Sequence, residues 1–505
     1  MTKLAAAFLV PGLILGTAIP GDAQTPALEG LDGFITDQME EWKVPGLAIA
    51  IVQDGKVIHT KGYGYRDVER ELPVTTKTRF GIGSITKSFG AVTLGILVDE
   101  GQLDWDTPVR EYLPGFRLHD PVAGARVTPR DLMSHRSGLP EHEFFMYNCG
   151  FTPEEMFERL RHLELNKDLR TTFQYSNLMV MIAGYIAGQL NGTTWEELAQ
   201  TRVLDPLGMT GTDFSIHESR KTGDFALGYQ RVDDEVTRIR HLMLDFDAEG
   251  AAGTINSDAE DMSRYLLFHL NQGRHNEVQV LSQRNAAEMQ TPQIPWTRSV
   301  PLSLRQKEFG SWSYGLGLAV TTYRGHKSVG HGGGFGGFVA LMSFLPEERL
   351  GVVVMTNLSP NPIAGIVTNE VFDRLLELEP IDWAARARDR ARRSTDSGEE
   401  RRESTRDEQT PGPSHDWKDY VGEYEHAGYG IFRVEQENGG LKISNRAVSK
   451  ALEHLYYDVF EFVPLPQYPD WRIKLVFSTN VEGEVDRFSS PLEPEVKEIV
   501  FKRRE

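Results

Sequence analysis

The chain has 505 residues, a length that fits two or three domains better than one ordinary core. Hydrophobic residues make up 40% of it, which is typical of a globular protein. A formal net charge of -19 at pH 7 argues against nucleic acid or an anionic membrane as a partner, because such a surface repels both. The single cysteine, Cys149, excludes an internal disulfide.

The N-terminus has the pattern of an export signal. An apolar stretch from 4 to 20 follows Lys3, and small residues precede a cleavage point after Ala23. We therefore predict that residues 1–23 are a cleaved signal peptide and that the protein is periplasmic or secreted. An anchor that stays in the membrane is the alternative, but the stretch is short and contains Pro11.

The next part of the chain combines strand and helix patterns. A hairpin is predicted over 47–59, and the pattern from about 90 to 270 is mostly helical. Strand patterns return later and precede a closing helix at 363–378. Strands at both ends with helices between predict one sheet-containing domain with a helical insertion. The late strands are predicted at 315–320, 338–345 and 350–355.

The composition changes near the C-terminus. The tract 386–413 is rich in charges of both signs and predicts a solvated linker, because it cannot bury a core. Short β-rich segments then alternate with turns, which predicts a small all-β barrel or sandwich. The expected division is a first domain over 28–380, a charged linker over 381–415 and a β domain over 416–505.

The segment Ser84-Ile85-Thr86-Lys87 opens an apolar helical run and predicts a nucleophile with its own base. Residues three apart on a helix share a face, so the Lys87 amine can reach the Ser84 hydroxyl. At a helix start, the Ser84 N–H is also free to stabilise a developing negative charge. The alternatives are a helix-capping serine and a phosphate loop, but Thr86 stands where such a loop needs its second glycine.

A second polar pattern precedes the helical run from Leu178. Tyr175 and Asn177 can face one cleft, and Tyr175, if a neighbouring ammonium partly deprotonates it, can pass protons to and from Ser84. Asn177 can bind a substrate carbonyl and steady Lys87. The structural alternative is a packed tyrosine beside an asparagine that caps the helix.

A third pattern is the glycine-rich run 330–338, which lies just before a predicted strand. Its glycines let a substrate approach the backbone closely. His331 can hold Tyr175 or a substrate carboxylate, and the alternative is a histidine that is merely packed.

Ser-x-x-Lys, Tyr-x-Asn and His-x-Gly, in this order, resemble the serine β-lactamase and penicillin-binding-protein superfamily. The likeness is greatest to the class C β-lactamase group, peptidase family S12, and the stretches 132–139, 206–209 and 252–262 support it. The resemblance implies an α/β (α+β) fold, with an antiparallel sheet flanked by helices plus a helical insertion. The tail is similar to the lipocalin-like barrel that some members carry.

The resemblance also implies roles for individual residues. Ser84 is the acylated nucleophile, Lys87 and Tyr175 share the general acid and base work, and Asn177 positions the substrate. The backbone N–H groups of Ser84 and Gly334 form the oxyanion hole. The implied activity is that of an exported serine hydrolase acting on small peptides or amides, of D-amino-acid peptidase or carboxypeptidase type, or on simple esters, with no cofactor and no metal.

One motif departs from the β-lactamases, which have Lys-Thr-Gly where this chain has 331–333. The missing ammonium weakens recognition of a substrate carboxylate, so His331 is closer to the peptidase and esterase relatives. We predict that His331, Gly333 and Gly334 contact the substrate. The alternatives are a β-lactam hydrolase and a noncatalytic penicillin-binding-like protein that recognises cell-wall peptides.

The C-terminal β domain has several possible roles. It can gate the active-site mouth, or it can mediate a homo-oligomer. Its aromatic side chains can also line a cavity for a small apolar ligand, although plain core is the commoner use of aromatic residues at strand spacing. These aromatic residues are Tyr456, Tyr457, Phe460, Phe462 and Trp471.

Overall fold

The computed structural model shows a sheet-and-helix domain followed by a closed β-barrel. The signal peptide predicted over 1–23 lies outside the described residues. Within the described part of the chain, no helix is both long and apolar enough to cross a membrane. The structure describes residues 26–232, 234–239, 246–297, 306–402, 411–463 and 472–504.

The first domain is built on an antiparallel sheet. Its strands, together with three short two-stranded pairs, are β1 (Gly46–Gln53), β2 (Lys56–Asp67), β3 (Leu72–Pro73), β4 (Phe80–Gly81), β5 (Tyr229–Val232), β6 (Glu235–Arg238), β7 (Asn256–Ser257), β8 (Arg274–His275), β9 (Val278–Gln279), β10 (Ile294–Pro295), β11 (Ser313–Tyr314), β12 (Ala319–Tyr323), β13 (His326–Phe335), β14 (Phe338–Leu345) and β15 (Leu350–Thr356). Within the described residues the main sheet has the order β10-β11-β12-β13-β14-β15-β1-β2-β3.

Helices cover both faces of this sheet. They are α1 (Leu31–Glu41), α2 (Thr86–Asp99), α3 (Val109–Tyr112), α4 (Pro121–Arg126), α5 (Pro129–Met133), α6 (Glu143–Asn148), α7 (Pro153–Arg159), α8 (Asn177–Asn191), α9 (Trp195–Ala199), α10 (Asp205–Leu207), α11 (Ile216–Lys221), α12 (Ala259–Leu270), α13 (Gln283–Met289), α14 (Ile363–Leu375) and α15 (Trp383–Arg402). One core joins α1 and α14 to the sheet, and a second joins α2, α8 and α12 to its other face.

Most predicted elements of this domain are confirmed. The hairpin forms from β1 and β2, β14 has the predicted bounds, and the helical insertion lies between β4 and β10. The glycine-rich run precedes strand β14 as predicted, but residues 330–335 also form the end of β13, a strand that the sequence did not predict. In the part of the chain that the structure describes, β13 beyond Gly330 pairs with β14 alone, so its other edge carries no strand at the glycines.

The tract predicted to be a charged linker begins as an ordered helix. Trp383, Ala384 and Ala387 of α15 are buried against the first domain. The Trp383 indole Nε1 donates a hydrogen bond to Asp373 Oδ2 over 2.9 Å. Three apolar residues on one helical face are therefore enough to dock a segment whose composition is mostly charged.

The C-terminal domain is a closed antiparallel barrel of eight strands within the described residues. The predicted α/β (α+β) domain followed by a small all-β barrel is thus confirmed. The strands are β16 (Gly422–His426), β17 (Gly430–Glu437), β18 (Gly440–Ser444), β19 (Ser449–Tyr456), β20 (Val459–Phe462), β21 (Ile473–Thr479), β22 (Val485–Ser490) and β23 (Ile499–Arg503).

The aromatic residues considered as a ligand cavity in the barrel do not line one together. Phe460 and Phe462 are buried in the core, and Phe460 packs against its aromatic neighbours there. Tyr456 and Tyr457 are 40% and 60% exposed. Trp471 lies outside the described residues.

The barrel packs against the helical insertion. Phe144 and Phe145 of α6 contact Phe432 and Tyr429 of the barrel. These apolar contacts make the insertion and the barrel parts of one hydrophobic core.

Candidate active site

Ser84 and Lys87 meet as their spacing predicts. Ser84 lies in a 3-10 turn, Gly83–Ile85, that leads directly into α2. The Lys87 Nζ atom is 2.9 Å from Ser84 Oγ and donates a second hydrogen bond to the Ala252 carbonyl over 2.7 Å. The two hydrogen bonds therefore fix the position of the Lys87 amine beside the Ser84 hydroxyl.

Burial makes Lys87 a base near neutral pH. Its side chain is fully buried, and desolvation lowers its pKa from 10.5 to about 7. The nearby carboxyl groups of Glu249 and Glu141 act in the opposite direction and raise it. A substantial fraction of Lys87 is therefore neutral at pH 7 and able to accept the Ser84 proton.

Tyr175 lies on the other side of the nucleophile. Its phenol is hydrogen-bonded to Ser84, and Lys87 Nζ is 4.8 Å from the centre of its ring. Burial raises the pKa of Tyr175 far above its usual range. The phenol thus stays protonated, in contrast to the hypothesis of a partly deprotonated tyrosine.

Asn177 is the first residue of α8 and faces the same cleft. Its Nδ2 donates hydrogen bonds to Glu141 Oε1 over 3.2 Å and to Tyr147 OH over 3.0 Å. These bonds do not include Lys87, which the sequence predicted Asn177 to steady. Its buried Oδ1 has no hydrogen-bond partner among the described residues. That oxygen is therefore available to a substrate N–H.

Glycines bring β13 against the nucleophile turn. A Cβ on Gly333 would lie 1.9 Å from the Ile82 carbonyl and 2.8 Å from Ser84 N, so only glycine fits there. Gly83 has a φ of +51°, and a Cβ on it would lie 2.9 Å from Gly334 N. The two backbone N–H groups predicted to form the oxyanion hole thus border the same small space.

His331 lies in β13 beside the nucleophile turn, and its imidazole is neutral. Its Nε2 is 2.8 Å from Tyr314 OH, its Nδ1 is 2.5 Å from Gly332 O, and its ring centre is 6.3 Å from that of Tyr175. Burial, with Lys87 nearby, lowers the pKa of His331 to about 3. A neutral imidazole cannot form an ion pair with a substrate carboxylate.

Comparison with known proteins agrees with this geometry. Residues 31–372 match the Beta-lactamase family, and residues 406–503 match a domain of unknown function, DUF3471. The chain belongs to the Beta-lactamase family. The unguisins hydrolase ungD' of Aspergillus campestris is 27% identical over 81% of this chain and 78% of its own.

Two solved structures of this family's fold are also similar. The octameric penicillin-binding protein homologue from Pyrococcus abyssi has a TM-score of 0.62 and 27% identity, over 94% of this chain and 100% of its own. D-amino acid amidase from Ochrobactrum anthropi has a TM-score of 0.58 and 24% identity, over 70% and 99%. The recognition of a serine β-lactamase and penicillin-binding-protein relative is confirmed.

Sequence reasoning missed three acidic or phenolic groups of this Beta-lactamase family site. Burial raises the pKa of Glu249 to about 8 and that of Glu141 to about 7. Tyr147 is hydrogen-bonded to Glu249 and to Asn177. No fixed spacing marks these residues, although Glu141 lies two residues after the end of the family-like stretch 132–139.

The barrel contacts two loops of the active site. Glu493 accepts a hydrogen bond from the His142 backbone N–H over 2.6 Å, next to Glu141. Glu495 Oε2 accepts from the Asn166 side chain over 2.9 Å, and Asn166 in turn accepts from Gln174, the neighbour of Tyr175, over 2.5 Å.

These contacts predict that Glu495→Ala lowers kcat about fivefold at an unchanged KM, because the Tyr175 loop loses a support of about 1 kcal/mol. Glu495→Gln keeps an acceptor oxygen and should restore kcat. Glu155→Ala breaks the Arg446 ion pair, which also joins the domains but touches neither loop, and is the matched control. If Glu495→Ala has the same kcat as the native protein and as the other two variants, the barrel does not support the active site.

Proposed function

We propose that this Beta-lactamase family member is an exported serine hydrolase that works through an acyl-enzyme on Ser84. The observation that supports it most is the buried Lys87 amine, 2.9 Å from Ser84 Oγ, with a pKa near 7. A binding protein has no need of a desolvated base aimed at a serine, since burial of that lysine is unfavourable.

The proposed reaction has two steps. Ser84 Oγ attacks the carbonyl carbon of an amide or ester while its proton passes to Lys87, and the oxyanion is held at the N–H groups of Ser84 and Gly334. The C–N or C–O bond then breaks, and the leaving group takes a proton through Tyr175. Water attacks the acyl-enzyme next, and the acid and Ser84 are released.

The proposed substrates are small amides and peptides with D-residues, of the kind cleaved by S12-type peptidases, or simple esters. The relatives named an unguisins hydrolase and a D-amino acid amidase support hydrolysis of amide-type bonds. The neutral His331 supports substrates that do not depend on a cation beside the scissile bond. Hydrolysis of β-lactams remains the alternative, as does noncatalytic recognition of cell-wall peptides.

A substrate panel tests this proposal. The native protein is given D-amino-acid amides, their L-enantiomers, phenyl acetate and a chromogenic cephalosporin, and product release is followed for each. We expect turnover of D-amides and of the ester, with slower turnover of the lactam. Fastest turnover of the lactam would favour a β-lactam hydrolase, and binding without turnover would favour a recognition protein.

Export and self-association belong to the same proposal. We infer export through the signal at 1–23, which leads to a periplasmic or secreted protein. We also infer a homo-oligomer formed through the C-terminal barrel, with support from the octamer reported for the Pyrococcus abyssi homologue. Light scattering of the mature protein tests this, and a monomer at micromolar concentration would contradict it.

A further inference from the structure

A cavity of about 530 Å³ extends from the active site to the α14 side of the sheet. Tyr175, His331 and Gly333 border it at the catalytic end. Leu341, Ile366 and other apolar side chains border it farther away. The volume lies in the range of known small-molecule sites, about 300–1,000 Å³.

Missing side chains create this space. Gly332 pairs with Leu341 across β13 and β14, so both residues share the face that packs against α14. A Cβ on Gly332 would meet nothing closer than 3.7 Å. On α14 itself, a Cβ on Gly365 would have no neighbour within 4 Å. Glycine on the strand and glycine on the helix thus leave a gap between them.

The lining suits an apolar body with one acidic end. Aromatic rings of Trp312, Phe372 and Trp383 supply apolar walls. Two polar groups in the lining lack partners among the described residues: the buried Thr368 Oγ1 has no hydrogen bond there, and Arg390 has neither an ion pair nor a hydrogen bond. A half-buried guanidinium without a carboxylate favours an anionic ligand group.

The position of the cavity identifies which part of a substrate it accepts. Tyr175 borders the cavity, and in the proposed function Tyr175 passes a proton to the leaving group. Ser84 and Lys87 do not border it. The cavity therefore opens on the leaving-group side of the scissile bond rather than around the acyl carbon.

We propose that this cavity binds an extended apolar leaving group, an amine or alcohol, whose far end carries a carboxylate. This inference rests on the proposed function, because it concerns the leaving group of that reaction. Contacts of the alkyl or aryl part with the aromatic walls supply binding energy, and Arg390 and Thr368 receive the carboxylate.

Acetate esters of phenol, 4-butylphenol and 4-octylphenol test the apolar part. All three form the same acetyl-enzyme, so differences in kcat/KM report on the leaving group. We expect kcat/KM of the native protein to rise at least about tenfold from phenol to 4-octylphenol, as a few added methylenes do in an apolar pocket. Gly365→Leu fills the gap without a backbone clash and should remove that rise.

Gly33→Leu is the matched control. Gly33 is the third residue of α1, as Gly365 is of α14, and a Cβ there also meets nothing within 4 Å. This variant should keep the rise with chain length. A flat profile in the native protein, or an unchanged rise in Gly365→Leu, would overturn the inference. Absence of any turnover, including that of phenyl acetate, would instead contradict the proposed function.

The carboxylate is tested with 8-(4-acetoxyphenyl)octanoic acid, the 4-octylphenyl ester with an acid at its end. We expect the native protein to prefer the acid over its methyl ester at least about fivefold, and Arg390→Gln to lose that preference. Equal rates for acid and methyl ester in the native protein would remove the anionic end from the proposal.

Discussion

Replacing Lys87 with methionine is expected to slow acylation of Ser84 by about three orders of magnitude. Methionine has a similar length and fills the same buried space, but it cannot accept the proton that Ser84 must lose. The measurement is the single-turnover acylation rate with an activated acetate ester at pH 8. At this pH the amine of the native protein is mostly neutral, since burial lowers its pKa to about 7.

Thr93→Ala provides the comparison for this variant. Thr93 is also buried in α2, where its hydroxyl donates to the Phe89 carbonyl, away from the cleft. We expect this variant to acylate at the native rate despite a small loss of stability. An acylation rate of Lys87→Met within tenfold of the native rate would mean that another group is the base.

The same methionine variant is expected to be more stable than the native protein at pH 7. Lowering the pKa of a buried lysine from 10.5 to about 7 corresponds to about 4 to 5 kcal/mol of unfavourable burial. Loss of the hydrogen bonds of Lys87 to Ser84 and Ala252 offsets roughly half of this. We therefore expect a net gain of about 2 kcal/mol in the free energy of unfolding.

The gain should depend on pH in a defined direction. Between pH 7 and 10.5 the unfolded chain holds a proton on Lys87 that the folded chain lacks, so the stability of the native protein rises with pH across this window. The advantage of Lys87→Met should therefore shrink as the pH approaches 10. Urea unfolding of both proteins at pH 7 and pH 10 measures this difference in the free energy of unfolding. A difference that stays constant with pH would contradict a lowered pKa.

Both expectations describe one property of the site. Burial destabilises the ammonium form of Lys87, and this is also what makes the amine a base at neutral pH. The carboxyl groups of Glu249 and Glu141 lie close enough to raise the pKa of Lys87, yet burial raises their own pKa values as well. A largely protonated Glu249 at pH 7 leaves the amine free to be neutral.

The sequence predicts the parts of the site that depend on local geometry. Ser84 and Lys87 share a helical face because they are three residues apart. Tyr175 and Asn177 lie two residues apart where a loop leads into α8. Strand β14 is recognisable because all of its residues except Ser343 are apolar.

Other parts depend on contacts between distant segments. Glu249 reaches the site through the fold alone, with no motif around it. Strand β13 escaped recognition because glycine is a poor strand former, and here its role is close approach to Ser84. Helix α15 docks through Trp383, although its average composition is that of a solvated tract. The cavity beside Gly365 is formed by absent side chains, which leave no pattern.

The most direct test of the acyl-enzyme is the intact mass of the protein after brief exposure to an activated acetate ester. We expect one added acetyl group on the native protein, located by peptide mapping on Ser84, and none on Ser84→Ala. An equal adduct on both proteins, or no adduct on folded native protein, would contradict the assignment of Ser84 as the nucleophile.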